Sequence, residues 1–144
     1  MTRRTKSAAI VDLEIDALGA GGDGMAARDG KRYFVPYTVA GDRVRARVTG
    51  RRGDVLATEV VERLADGPGR VAPPCSHFGV CGGCALQHLD DATYDDWKRQ
   101  RVVSALARRG LDEVAVAAMA RTAPGGRRRA TLLAIRRKHD TAIG

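Results

Sequence analysis

Three cysteines fall within ten residues, Cys75, Cys81 and Cys84, in the pattern Cys-x5-Cys-Gly-Gly-Cys. Thiolates are ligands for soft metals and for iron–sulfur clusters. The Gly82-Gly83 pair lets the backbone turn tightly, so Cys81 and Cys84 can face one centre while nearby amides point at sulfur. A tetrahedral ion or a cubane cluster needs a fourth ligand, and the sequence holds no fourth cysteine. Spacing alone leaves two metal readings side by side. One is a 4Fe–4S cluster whose fourth ligand lies outside the chain; the other is a Cys3His zinc site completed by His77 or His88. Inert thiols are the third reading, and the close grouping between Pro73-Pro74 and Gly82-Gly83 argues against it. An odd cysteine count also argues against a self-contained disulfide framework, and in a reducing compartment clustered cysteines more often bind metal.

The second chemistry is contact with phosphate. Net charge is +8 and the pI is near 10.1, a field that favours polyanions, nucleic acid first among them. Along 42–49, Val44, Ala46 and Val48 alternate with Arg43, Arg45 and Arg47, so the arginines share one face of a strand. Arg51 and Arg52 follow, and Arg127, Arg128 and Arg129 form a separate run. Residues 121–144 carry seven Lys or Arg against the single acid Asp140. These eight arginines are the candidate nucleic-acid contacts; the alternative for each is a solvated strand face. Tyr33, Phe34 and Phe78 can stack on bases or fill a core. The run Gly19-Ala20-Gly21-Gly22-Asp23-Gly24 is not a phosphate loop, because no Lys-Ser/Thr follows it.

The elements that must position these groups are mostly strands. Residues 8–18 alternate around Ile10, Leu13 and Ile15, with a slip near Val11 of the kind a bulge makes. Met25–Arg28 and Arg32–Val35 read as a hairpin joined by Asp29-Gly30. Strand 42–49, a turn over 50–54 and a last strand over 55–64 complete five strands, which suggests a small barrel or sandwich. Asp66-Gly67-Pro68-Gly69 begins a linker that leads to the cysteines. Tyr94–Gly110 has helical spacing, with Val102, Val103, Leu106 and Ala107 on one side. Asp90 or Thr93 is placed to cap it, and Gly110 to end it. Val114–Met119 is a short apolar segment. Residues 127–137 read as a strand, Lys138-His139-Asp140 as a turn and 141–144 as the start of a returning strand, the pattern of a fragment. The chain is expected to be mainly β with one helix, in four parts: 1–65, 66–92, 93–120 and 121–144. No run approaches the roughly 18–20 apolar residues of a membrane helix, and a secretory signal would need a longer apolar stretch than the one between Lys6 and Asp12, so none is expected. A cytoplasmic monomer without a membrane partner is the expectation.

The stretch Cys75-Ser76-His77-Phe78-Gly79-Val80-Cys81-Gly82-Gly83-Cys84-Ala85-Leu86-Gln87-His88-Leu89 resembles the cluster segment of the RNA uracil-5-methyltransferases, above all those acting on large-subunit ribosomal RNA. Phe34-Val35-Pro36 and Gly41-Asp42-Arg43-Val44-Arg45-Ala46 resemble their TRAM domain, a five-stranded barrel of the oligonucleotide-binding type. Trp97-Lys98 resembles the helix after the cluster. Gly126-Arg127-Arg128-Arg129-Ala130 resembles the opening of their central β domain, with Gly126 where the family usually has Tyr. The resemblance implies that 1–65 is a TRAM-like RNA-binding barrel, and that Cys75, Cys81 and Cys84 hold a 4Fe–4S cluster with a fourth cysteine beyond residue 144. The x5 spacing between Cys75 and Cys81 disfavours an unrelated TRAM-bearing radical enzyme, whose cysteines are spaced x3 and x2. The resemblance further implies a reaction using S-adenosylmethionine: a thiolate adds to uracil C6, C5 takes the methyl group, and a carboxylate removes the C5 proton. The nucleophile, base and cofactor site belong to a C-terminal domain, so this chain is expected to bind RNA and a cluster without turnover.

Overall fold

The computed structural model describes residues 9–123, 125–126 and 133–143. Its first element is a strand bent in two, β1 (Ile10–Glu14) and β2 (Ala17–Leu18). The bend at Ile15-Asp16 faces both ways: Ile15 N–H donates to the Asp42 carbonyl at 2.9 Å, and Asp16 N–H to the Met25 carbonyl at 2.8 Å. Then come β3 (Gly24–Arg28), β4 (Lys31–Val35), β5 (Arg43–Arg52) and β6 (Val55–Ala65). The order β1-β5-β6-β4-β3-β2 closes on itself, because its first and last members are two arms of one strand. The result is a five-stranded barrel, antiparallel apart from the parallel pairing of β4 with β6. That is the strand order of oligonucleotide-binding barrels.

Alternation sets which side chains fill the barrel. Leu13, Ile15, Ala26, Tyr33, Val35, Val44 and Ala46 are buried, and Val11, Val48 and Leu56 pack against them. In β1 the structure corrects the expected pattern. Val11, Leu13 and Ile15 form the inward set, Ile10 is 54% exposed, and β1 pairs with β5 in unbroken register, so no bulge sits at Val11. The register shifts occur instead along β5 and β6, at three places, and they curl this long hairpin around the core. β5 runs through Arg52, so Arg51 and Arg52 are strand residues rather than part of a turn. The β3–β4 turn is as expected, with φ 51° at Asp29 and 69° at Gly30, the left-handed pair of a tight hairpin.

Helix α1 (Asp91–Ala107) is capped by Asp90, whose carboxylate accepts from Thr93 N–H at 2.7 Å. Asp91 in its first turn complements the helix dipole. No residue of α1 is buried, and Val102 is half exposed. Trp97 Nε1–H donates to the Gly19 carbonyl at 3.0 Å, tying the helix to the barrel. Residues 114–119 have no regular structure. β7 (Ala134–Arg136) and β8 (Thr141–Ile143) form the expected antiparallel hairpin, closed by Arg137 N–H on the Asp140 carbonyl. The upstream part of that strand, 127–132, lies outside the described residues. Among the described residues, no helix is long and apolar enough to cross a membrane.

Candidate functional site

The cysteine loop is closed at its base and bound to the barrel by polar contacts. Arg70 bridges to Leu89, Val71 N–H donates to the His88 carbonyl, and Asp90 N–H donates to the Gly69 carbonyl. Arg70 then reaches the barrel. Its guanidinium forms an ion pair with Asp42 through Nε (3.0 Å) and Nη2, and Nη2 also donates to the Tyr37 carbonyl at 2.9 Å. Asp42 is fully buried and also accepts from the amides of Val39 and Gly67, both at 2.8 Å. Burial alone would raise the Asp42 pKa. The hydrogen bond from Arg70 and those two amides outweigh it and hold the carboxyl below its ordinary range.

His88 makes the second tie. Its ring is buried, and Nε2–H donates to the Thr38 carbonyl at 3.1 Å. Burial, reinforced by the Arg70 cation, keeps its pKa below the ordinary histidine value against the pull of that carbonyl. The neutral tautomer therefore carries its proton on Nε2 and leaves Nδ1 an acceptor. Nδ1 is buried without a partner among the described residues.

Between these ties the loop presents its thiols. Cys75 is half-buried; Cys81 and Cys84 are exposed. The donor set suits an iron–sulfur cluster in kind. Glycines at positive φ flank Cys81 (Gly79 at 80°, Gly82 at 73°), and Gly83 N–H already donates to Cys81 Sγ at 3.5 Å. The set is not gathered: among the described residues, no three His, Cys, Asp or Glu groups lie close enough to hold one ion. Nothing in the geometry favours the zinc reading, since neither His77, which is exposed, nor His88 is gathered with the three thiols among the described residues. Behind Cys84 lies a cavity of about 460 Å³ walled by Leu86, Gln87, Tyr94 and Arg121. Arg121 pairs with Asp91 and Asp95 and sits 5.4 Å from the Tyr94 ring centroid.

The candidate arginines divide. Arg45 bonds Asp12 at 2.9 Å and Glu62 at 2.6 Å, and Arg47 bonds Glu59 at 2.6 Å, all across neighbouring strands. Arg51 donates to the Gly53 carbonyl and lies 3.7 Å from Asp54. Arg43 and Arg52 have no acid partner among the described residues, while Arg127, Arg128 and Arg129 lie outside them. Of the aromatics, Tyr33 belongs to the core, Phe34 is half-buried, and Phe78 packs against Tyr37 and His88. Sequence reasoning missed Tyr37, Asp42 and Arg70. Each acts through partners distant in sequence, and although Asp42 lies in the Gly41–Ala46 stretch quoted for the resemblance, nothing local marks its pairing with Arg70.

Known proteins match the chain over most of its length. An uncharacterized RNA methyltransferase of Caulobacter vibrioides is 49% identical over 122 residues, covering 84% of this chain and 28% of its own. The 23S rRNA (uracil(1939)-C(5))-methyltransferase RlmD of Chromohalobacter salexigens is 41% identical over 91% of this chain. Its counterpart in Alkalilimnicola ehrlichii is 37% identical over 92%. The chain belongs to the RNA uracil-5-methyltransferase family. It spans 28% of the Chromohalobacter relative's length and 31% of the Alkalilimnicola relative's. No protein-family model matches it. A conserved protein of Methanococcus maripaludis solved in solution is 30% identical over 40% of this chain and 81% of its own, at a TM-score of 0.37, a likeness too slight to bear on the fold. Within the family, the alignments to the two named enzymes are long enough to take in both the closed barrel and the cysteine loop.

Proposed function

We propose that this chain supplies RNA binding and a cluster site to an S-adenosylmethionine-dependent uracil-C5 methyltransferase of ribosomal RNA. One observation carries the reading: relatives named for methylating uracil C5 of 23S rRNA align over more than nine tenths of the chain. The barrel supports it, because its strand order is that of folds that bind oligonucleotides, and so does the charge of +8. In this reading 9–65 is the TRAM-like barrel, and Arg43, Arg52 and the run 127–129 meet phosphate. Cys75, Cys81 and Cys84 give three thiolates to a 4Fe–4S cluster, with the fourth ligand from outside these residues. A bound cluster would cross-link the loop and so fix Phe78 and His88 against the barrel. The three thiols are ligands and not nucleophiles, and the chain by itself transfers no methyl group.

Two measurements test this. RNA affinity, read by filter binding, is expected to fall steeply as salt rises; salt-independent binding counts against the basic surface. Anaerobic reconstitution with iron and sulfide is expected to give a visible charge-transfer band, bleached by air and weakened in Cys81→Ser. Uptake of zinc alone, with no such band, would overturn the cluster assignment. The same protein incubated with labelled S-adenosylmethionine and ribosomal RNA should leave the RNA unlabelled.

A further inference from the structure

Phe78 and Gly79, midway between Cys75 and Cys81, wall a cavity of about 480 Å³. Tyr37 reaches it from the barrel, Val71 and Pro73 from the linker, and His88 from beyond the cysteines. That volume lies within the range of roughly 300–1,000 Å³ usual for small-ligand sites. Three rings meet there. Tyr37 and Phe78 stand edge to face at 5.2 Å and 73°, and Phe78 and His88 are 5.5 Å apart, tilted 40°. Tyr37 holds its ring at the opening with φ 59°, a left-handed conformation uncommon in a bulky residue, and is 38% exposed. Such outliers persist where the surroundings impose them, and they gather at ligand sites. At the rim, Arg63 is half exposed and paired with Asp66. In the wall, His88 Nδ1 is a buried acceptor with no donor among the described residues.

We propose that this cavity takes one unstacked base of a single-stranded RNA segment. Tyr37 and Phe78 would stack on it, and a base N–H or a ribose 2′-hydroxyl would supply the donor that His88 lacks. The inference rests on the RNA-binding reading above and deepens it. Single-stranded RNA is read by splaying its bases onto aromatic rings, and stacking works for every base because each has a π-face. A base held in a duplex cannot enter a concave site. An apolar peptide side chain would also suit the rings, but the net charge of +8 and the buried acceptor His88 Nδ1 favour a polyanion that brings a hydrogen-bond donor.

The test compares a fluorescein-labelled ten-nucleotide RNA with the same phosphate chain built from base-free spacers, by anisotropy on the full 144-residue chain. The intact RNA is expected to bind about tenfold tighter, the scale of stacking one base. Phe78→Leu keeps apolar volume, and Tyr37→Asn suits the left-handed backbone. Each should bring the intact RNA to the affinity of the base-free chain, with circular dichroism and the salt slope unchanged. Equal binding of both oligonucleotides to the unaltered protein overturns the cavity as a base site and leaves RNA binding standing. So does tight binding of the intact RNA by both ring variants. No binding of either oligonucleotide by the unaltered protein overturns the cavity and the RNA reading together.

Discussion

Asp42 receives hydrogen bonds from Val39, Gly67 and Arg70, and its side chain has no solvent exposure. Arg70 is only 7% exposed, so removing either partner strands a charge in a dry site. Asp42→Ala is expected to cost about 3–5 kcal/mol in chemical denaturation. The double variant with Arg70→Ala should lose less than the sum of the two singles, since no buried charge is left alone. The sign with pH follows from the depressed carboxyl. Its contribution is present above the unfolded aspartate value of about 3.9 and is lost as pH falls through the lower folded value. Acid unfolding of the single variant should therefore lack this component; an unchanged profile would mean that the Asp42 carboxylate does not anchor the linker to the barrel. Local pattern shows none of this. Asp42 reads as the start of a strand and Arg70 as part of a linker, 28 positions apart. The cysteines are the opposite case. Their type and spacing are plain in the sequence, whereas their gathering around one centre depends on backbone angles that spacing does not set.

At the scale of elements, local rules succeeded where one turn or one face decides the outcome. Asp29-Gly30 makes its hairpin because both positions take positive φ, and the capping carboxylate of Asp90 starts α1. They failed on β1, where Ile10 looks like a core residue, but pairing with β5 fixes a register that turns Val11 inward instead. A one-residue shift reverses every side chain, and the residues that set the register here, Arg47 opposite Ile10 and Ala46 opposite Val11, lie far along the chain. Two glycines separate local from tertiary demands. A Cβ on Gly30 would meet nothing within 4 Å, so Gly30→Ala costs only the left-handed backbone, about 1–2 kcal/mol. A Cβ on Gly67 would lie 2.3 Å from the Ala40 carbonyl oxygen and 2.8 Å from the Asp42 amide nitrogen, both backbone atoms. Gly67→Ala must therefore move the linker off the barrel, and thermal unfolding should show the larger loss of the two. The reverse order would mean that the linker contact with Asp42 does not hold the fold.

For the whole molecule, charge is legible as a total but not as a field. The sequence carries +8 and three alternating arginines, yet the barrel sets Arg45 against Asp12 and Glu62, and Arg47 against Glu59. Those acids come from β1 and β6, the two strands that flank β5, so it is the pairing of three strands that brings them together. An arginine already neutralised by a neighbouring carboxylate releases no counterion from RNA, whereas Arg43 and Arg52 have no acid partner among the described residues. The salt dependence of RNA affinity separates the two groups. Each phosphate contact to single-stranded RNA contributes about 0.7 to the slope of log affinity against log salt. The pair Arg43→Gln and Arg52→Gln should make that slope shallower by about 1.4. The pair Arg45→Gln and Arg47→Gln should leave the slope in place while weakening the barrel, because it breaks cross-strand contacts and not RNA contacts. Equal shallowing in both pairs would mean that the ion pairs open to receive phosphate. Shallowing in neither would move the electrostatic footprint off β5 and onto the basic stretch at 121–143.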